Sequence, residues 1–194
     1  MMKLVMLGDS VFDNASYLQK GERDTEAWVR HYLQGEALDI DFLAEDGATT
    51  KCVKETQLGD IDAEAEYIVL SIGGNDLLQS FSCLETNQGS MAQTLSFFEE
   101  EIRTTFNNSY GAMINAIRSR AQKAKIMTFD IYYPFWDLDS SLFKELPQHS
   151  EVLAKASRVA IDLFNKNIRD HLRDGEVKNL AAICCERRHF ANPI

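Results

Sequence analysis

The chain reads as an α/β fold in which a parallel sheet carries helices on both faces, and three observations predict it. Short apolar runs end abruptly at glycine or turn residues; the strongest, Tyr67-Ile68-Val69-Leu70-Ser71-Ile72, is almost continuously apolar, as a central parallel strand should be. Between these runs lie longer stretches with apolar residues at helical spacing. The ends of the runs gather glycines, hydroxyls and an amide, the residue types that line the ligand crevice at the carboxyl edge of such sheets. Five strands alternating with helices fit the flavodoxin-like order 2-1-3-4-5, with the crevice beside the first strand.

Each element has its own signal. Lys3-Leu4-Val5-Met6-Leu7 is the first strand, stopped by Gly8, and Asp9-Ser10 then forms a tight turn with Ser10 at or just before a helix N-terminus. Val11 to Arg23 predicts a short helical turn and an exposed loop. Thr25 caps a helix to about Leu33, with Trp28, Val29, Tyr32 and Leu33 on one face. Leu38-Asp39-Ile40-Asp41-Phe42 alternates apolar and acidic residues, the pattern of a strand near the sheet edge with one wet face. It runs into the loop Glu45 to Thr50, where Gly47 permits unusual backbone angles.

The strong strand stops at Gly73-Gly74-Asn75-Asp76. A helical region follows from about Met91 to Ala121, with one stripe at Leu95, Phe98 and Ile102 and another at Met113, Ile114 and Ile117, separated by Asn107 to Gly111. Ile126 to Ile131 makes the fourth strand, ended by the aromatic cluster Tyr132-Tyr133-Pro134-Phe135-Trp136. A helix from about Ser150 to Leu172 carries Val152, Ala156, Val159, Ala160, Leu163 and Phe164. Leu180 to Cys184 is the fifth strand, followed by Glu186-Arg187-Arg188-His189. No repeat or linker interrupts residues 1–194, which read as one domain.

Composition excludes several partners. A formal net charge of −10 disfavours nucleic acid and anionic membrane surfaces, both of which require concentrated basic surface. No apolar run approaches the roughly 20 residues that span a bilayer, so stable membrane insertion is not expected. Cys52, Cys83, Cys184 and Cys185 have neither metal-ligand nor disulfide-framework spacing. With no secretory leader pattern at the N-terminus, the expected setting is the reducing cytoplasm.

Four residues fall after strands that lie far apart in sequence: Ser10 after the first, Gly47 after the second, Asn75 after the third and His189 after the fifth. Alone, each has an ordinary role. Gly-Asp-Ser caps a helix, Gly47 serves a turn, Asn75 or Asp76 caps the next helix, and a histidine near a terminus sits on the surface. His31, His149 and His171 lie in helical segments with no nucleophile partner and read as solvated. Together, the four carry what serine ester hydrolysis needs. The hydroxyl is a weak nucleophile that requires an imidazole base, and the oxyanion requires preset donors. Ser10 N–H, Gly47 N–H and the Asn75 amide supply donors, while Glu186 is placed to fix the His189 tautomer.

On these residues the chain resembles the SGNH (GDSL-like) hydrolase family. Gly8-Asp9-Ser10 is similar to its first block, Gly47 to the second, Gly73-Gly74-Asn75-Asp76 to the third, and Glu186-x-x-His189 to the last. The resemblance implies a three-layer α/β/α sandwich and ester or thioester hydrolysis. It also implies that Ser10 is nucleophile and oxyanion donor, Gly47 and Asn75 are oxyanion donors, and His189 is the base, with no metal or organic cofactor. Small acyl esters, lysophospholipids and acetylated carbohydrates are the substrate classes it suggests. Two departures stand out: Glu186 occupies the place of the family's aspartate, and only five residues follow His189, where the family has a closing helix. That helix is expected to be missing or truncated.

Two other classes fit parts of the pattern. Asp9, Asp13 and Asp76 at strand ends could hold Mg²⁺ for phosphoryl transfer, although no phosphate-cradling loop with a lysine accompanies them. A binding module with degraded catalysis could use the same fold.

Overall fold

The computed structural model describes residues 2–86, 93, 96, 99–100, 102–131, 150–172 and 177–178. Its strands are β1 (Met2–Gly8), β2 (Leu38–Phe42), β3 (Tyr67–Ser71), β4 (Lys125–Thr128) and β5 (Val177–Lys178). They form one parallel sheet in the order β2-β1-β3-β4-β5, as the alternation of strand and helix predicts, with β2 at the edge. The fifth strand is described only at its Val177–Lys178 segment. Val177 and Lys178 pair with Met127 and Thr128, whereas Leu180 to Cys184 lies outside the described residues. A single valine between charged residues makes no apolar run, so pattern alone does not detect this short strand.

The helices are α1 (Thr25–Tyr32), α2 (Thr50–Cys52), α3 (Gly74–Thr86), α4 (Asn107–Arg120) and α5 (Ser150–Asp170). Asp24, not Thr25, caps α1: its carboxylate accepts from Ala27 N–H at 2.6 Å. Thr25 instead donates its hydroxyl to Val11 O, fastening the helix start to the loop after β1. Asn107 to Gly111 does not divide two helices: it begins α4, which continues directly from a wide turn at Ile102–Phe106. Gly73-Gly74-Asn75-Asp76 opens α3, which the apolar pattern alone does not reveal.

Alternate strand residues feed two cores, as a pleated sheet requires. On one face Val5, Leu7, Ile68, Leu70 and Ile126 pack with Ile102, Met113, Ile114 and Ile117 and with Ala160 and Phe164. The stripes expected at residues 113–117 and 160–164 are therefore buried, but Val159 faces out. On the other face Leu4, Met6, Ile40 and Val69 meet Phe12, Val29 and Leu33. Trp28 and Tyr32 do not join Val29 and Leu33 in this core. They stack on each other outside it, with ring centroids 5.5 Å apart, and Arg23 lies over Trp28.

Phe12 anchors the turn that carries Ser10. It is buried and meets Phe129 and Phe42 edge-on, with ring centroids at 5.5 and 6.3 Å. Phe12→Ala is expected to cost about 3–5 kcal/mol, the usual range for emptying a buried aromatic site, measured by urea unfolding.

Candidate active site

The site begins where β1 ends. Gly8 has φ of 136°, and a Cβ placed there would lie 1.9 Å from Ser71 O. Only glycine lets β1 pass this close to β3. The same Ser71 carbonyl accepts from Asp9 N–H at 3.0 Å. On the other side, the buried Gln57 side chain takes both backbone groups of Gly8: its Oε1 accepts from Gly8 N–H and its Nε2 donates to Gly8 O, each at 2.9 Å. Glu45 N–H reaches the same Gly8 carbonyl, at 3.0 Å.

Ser10 follows in a turn rather than at the head of a full helix. Phe12 and Asp13 N–H both donate to Asp9 O, closing one helical turn, and a short 3-10 turn comes later at Ala15–Tyr17. Ser10 is half-buried, and Gly47 is exposed with φ of 79°. Asn75 sits in the first turn of α3 and donates its Nδ2 to Ala48 O at 2.9 Å, which ties the third loop to the residue after Gly47. Among the described residues, no acceptor is hydrogen-bonded to Ser10 N–H or Gly47 N–H. The three loops that carry Ser10, Gly47 and Asn75 are thus bonded to one another at the carboxyl edge of the sheet. Glu186 and His189 lie outside the described residues, as do His149 and the aromatic cluster Tyr132 to Trp136.

The acidic residues do not assemble as the phosphoryl-transfer reading requires. Asp9 Oδ1 accepts from Val11 N–H, Asp13 Oδ2 from Asp46 N–H, and Asp76 from both Thr50 N–H and Thr50 Oγ1. Among the described residues no three His, Cys, Asp or Glu side chains gather as metal ligands. Asp76 reaches across from the first turn of α3 to Thr50 at the start of α2. His171 is not solvated as expected. Its ring packs against Gly111, and Nε2 lies 2.8 Å from Asn107 Oδ1.

Several residues in this neighbourhood carry no advance signal. Gln57, Thr50 and Tyr17 meet their partners through contacts 49, 26 and 29 positions apart in sequence. Phe12 is the exception, because a large apolar residue so close after a turn is itself a hint of anchoring.

Strand order and the glycine-bounded turn after β1 define the class: an α/β fold with a parallel sheet flanked by helices and with these loops at its carboxyl edge. The GDSL-like lipase/acylhydrolase family model matches residues 6–186, and the chain belongs to that family of hydrolases. In fold it is similar to an extracellular lipase from Streptomyces rimosus, at 23% identity and TM-score 0.62 over 88% of this chain and 77% of that one. A phospholipase A1 from Streptomyces albidoflavus NA297 matches at 21% identity and TM-score 0.64, over 88% of this chain and 75% of that one. The lipase Lip_vut3 from a goat rumen metagenome matches at 18% identity and TM-score 0.67, over 96% and 84%. No curated protein sequence matches the chain. Among the described residues no helix is long and apolar enough to cross a membrane.

Asp9 gives the site a pH signature. Burial, reinforced by the nearby Asp76 and Asp46 charges and opposed by the Val11 N–H bond, pushes its carboxyl from 3.8 up to about 6. The folded carboxyl therefore holds its proton more tightly than the unfolded one, so stability falls as pH rises from about 4 to about 6 and then levels off. Asp76 is raised by burial too and adds a slope of the same sign. Asp9→Asn should remove the Asp9 share and raise stability at pH 7 by about 2–3 kcal/mol, read from urea unfolding across pH. An unchanged profile in that variant would contradict the buried charge.

Proposed function

We propose that the chain hydrolyses carboxylic esters or thioesters with Ser10 as nucleophile and His189 as base, Glu186 orienting the imidazole. The oxyanion hole is formed by Ser10 N–H, Gly47 N–H and the Asn75 amide. The observation that carries this reading is the junction of the three loops, in which Ser10 N–H and Gly47 N–H have no acceptor among the described residues. Ala48 O uses one hydrogen of the Asn75 amide, and the second is the one an oxyanion would accept.

In this mechanism His189 removes the Ser10 Oγ proton as Oγ bonds to the acyl carbon. The carbonyl oxygen then carries the negative charge to the three donors. His189 returns its proton to the departing alcohol or thiol as the bond from that group to the acyl carbon breaks. Water repeats the sequence on the acyl-enzyme, yielding the acid and free Ser10. No step calls for a metal or organic cofactor. Small acyl esters, lysophospholipids and acetylated carbohydrates remain the proposed substrates; a phospholipase A1 among the structures of similar fold is consistent with the lipid esters.

Ser10→Ala should abolish turnover of p-nitrophenyl esters while leaving the unfolding curve in place, and a fluorophosphonate should label Ser10 alone. Labelling of another serine, or near-normal turnover by Ser10→Ala, would overturn the mechanism. Asn75→Ala should lower kcat by about 10²–10³ with little change in KM, because an oxyanion bond acts chiefly in the transition state.

The carboxylate of Glu186 is tested separately. Its removal lowers the pKa of the imidazolium, and the base must be neutral to act. The acid limb of kcat/KM in Glu186→Gln should therefore move to lower pH, with kcat reduced by orders of magnitude. An unmoved limb with most activity retained would reduce the machinery to a Ser10–His189 dyad.

A further inference from the structure

We propose that Tyr17 positions the substrate, its exposed ring packing against an apolar group beside the scissile ester while Asp46 holds its hydroxyl across the cleft between the loops after β1 and β2. This inference rests on the reading of Ser10 as nucleophile.

Tyr17 ends the short 3-10 turn that follows Ser10. Its hydroxyl donates to the Asp46 carboxylate, whose Oδ1 and Oδ2 lie at 2.8 and 3.0 Å, and Ser16 Oγ adds a longer bond at 3.3 Å. The link also runs the other way, since Asp46 N–H donates to Asp13 Oδ2 at 2.8 Å. Asp46 is the residue before Gly47, so the bridge joins the nucleophile loop to the loop bearing a proposed oxyanion donor.

The ring has a fixed end and an open face. Tyr17 is 66% exposed although its ring is large and apolar. An aromatic ring tethered at its hydroxyl offers apolar contact area at low cost in conformational entropy. Leu18, the next residue, lines an open depression of about 790 Å³ together with Arg23 and Trp28. Asp46 is exposed as well, so the bridge adds little to the stability of the fold.

The test compares wild type, Tyr17→Phe and Tyr17→Ala on two ester series. One lengthens the acyl chain from acetyl to octanoyl on a fixed alcohol, and the other enlarges the alcohol of an acetate. Tyr17→Ala should lower kcat/KM about tenfold, through KM, for the larger members of one series, and change the smallest ester by no more than about twofold. Tyr17→Phe, which keeps the ring, should retain most of the size preference. The series that responds identifies the acyl or the alcohol side. Size profiles unchanged by Tyr17→Ala in both series, or a uniform fall in kcat for every ester, would overturn the proposal, provided that fluorophosphonate still labels Ser10. Failure of wild type to label at Ser10 or to turn over any ester would overturn the nucleophile reading itself, and the Tyr17 proposal with it.

Discussion

The structure depends on the contact between Gly8 and the backbone of Ser71. Two parallel strands approach so closely at their carboxyl ends that no side chain fits at Gly8, and the Ser71 carbonyl then holds Asp9 N–H. Gln57 seals the opposite side by taking the N–H and C=O of Gly8 in its own amide. A strand tip has backbone groups with no neighbouring strand to satisfy them, and leaving them buried and unpaired costs more than a bond returns. Both sides of the Gly8 peptide region are therefore fixed before Ser10 begins its turn, and Phe12 anchors the chain again two residues later.

The same solution appears further along the sheet. Asn165 on α5 accepts from Ile131 N–H at 2.7 Å and donates to Ile131 O at 3.0 Å, beyond the end of β4. Here too a buried side-chain amide stands where a strand neighbour would be. The carboxyl edge is thus tied by side-chain amides at β1 and beyond β4, while the loops between carry most of their polar bonds at exposed or half-buried positions. Against this edge the buried Asp9 is a local liability, since charge at that position is disfavoured by burial and by the neighbouring Asp76.

Sequence periodicity made the sheet legible because parallel strands buried on both faces are continuous apolar runs, and β1 and β3 have that form. The strand order followed from alternation with helices. Periodicity failed where tertiary contacts decide. Trp28 and Tyr32 share a helical face with Val29 and Leu33 on paper, yet the sheet covers only the latter pair and the two rings stack outside. Val177–Lys178 pairs through its backbone, which leaves no trace in side-chain pattern. Ser10, Gly47 and Asn75 were legible as strand-end residues of distinctive chemistry. Gln57, Thr50 and Asp46 were not, because a polar residue that bonds to a distant loop looks like any other surface polar residue until the chain is folded.

The division between fixed edge and outer loops bears on how this scaffold could be given new specificities. Gly8 is held between the Ser71 backbone and the Gln57 side-chain amide, so substitutions at Gly8 or Gln57 disturb the frame before they touch any ligand. The segment from Val11 to Arg23 is different: it meets the neighbouring loop through the exposed side chains of Ser16 and Tyr17 on Asp46. A combinatorial library confined to that segment, with Phe12 and Asp13 retained, would sample new cleft walls around an undisturbed strand tip.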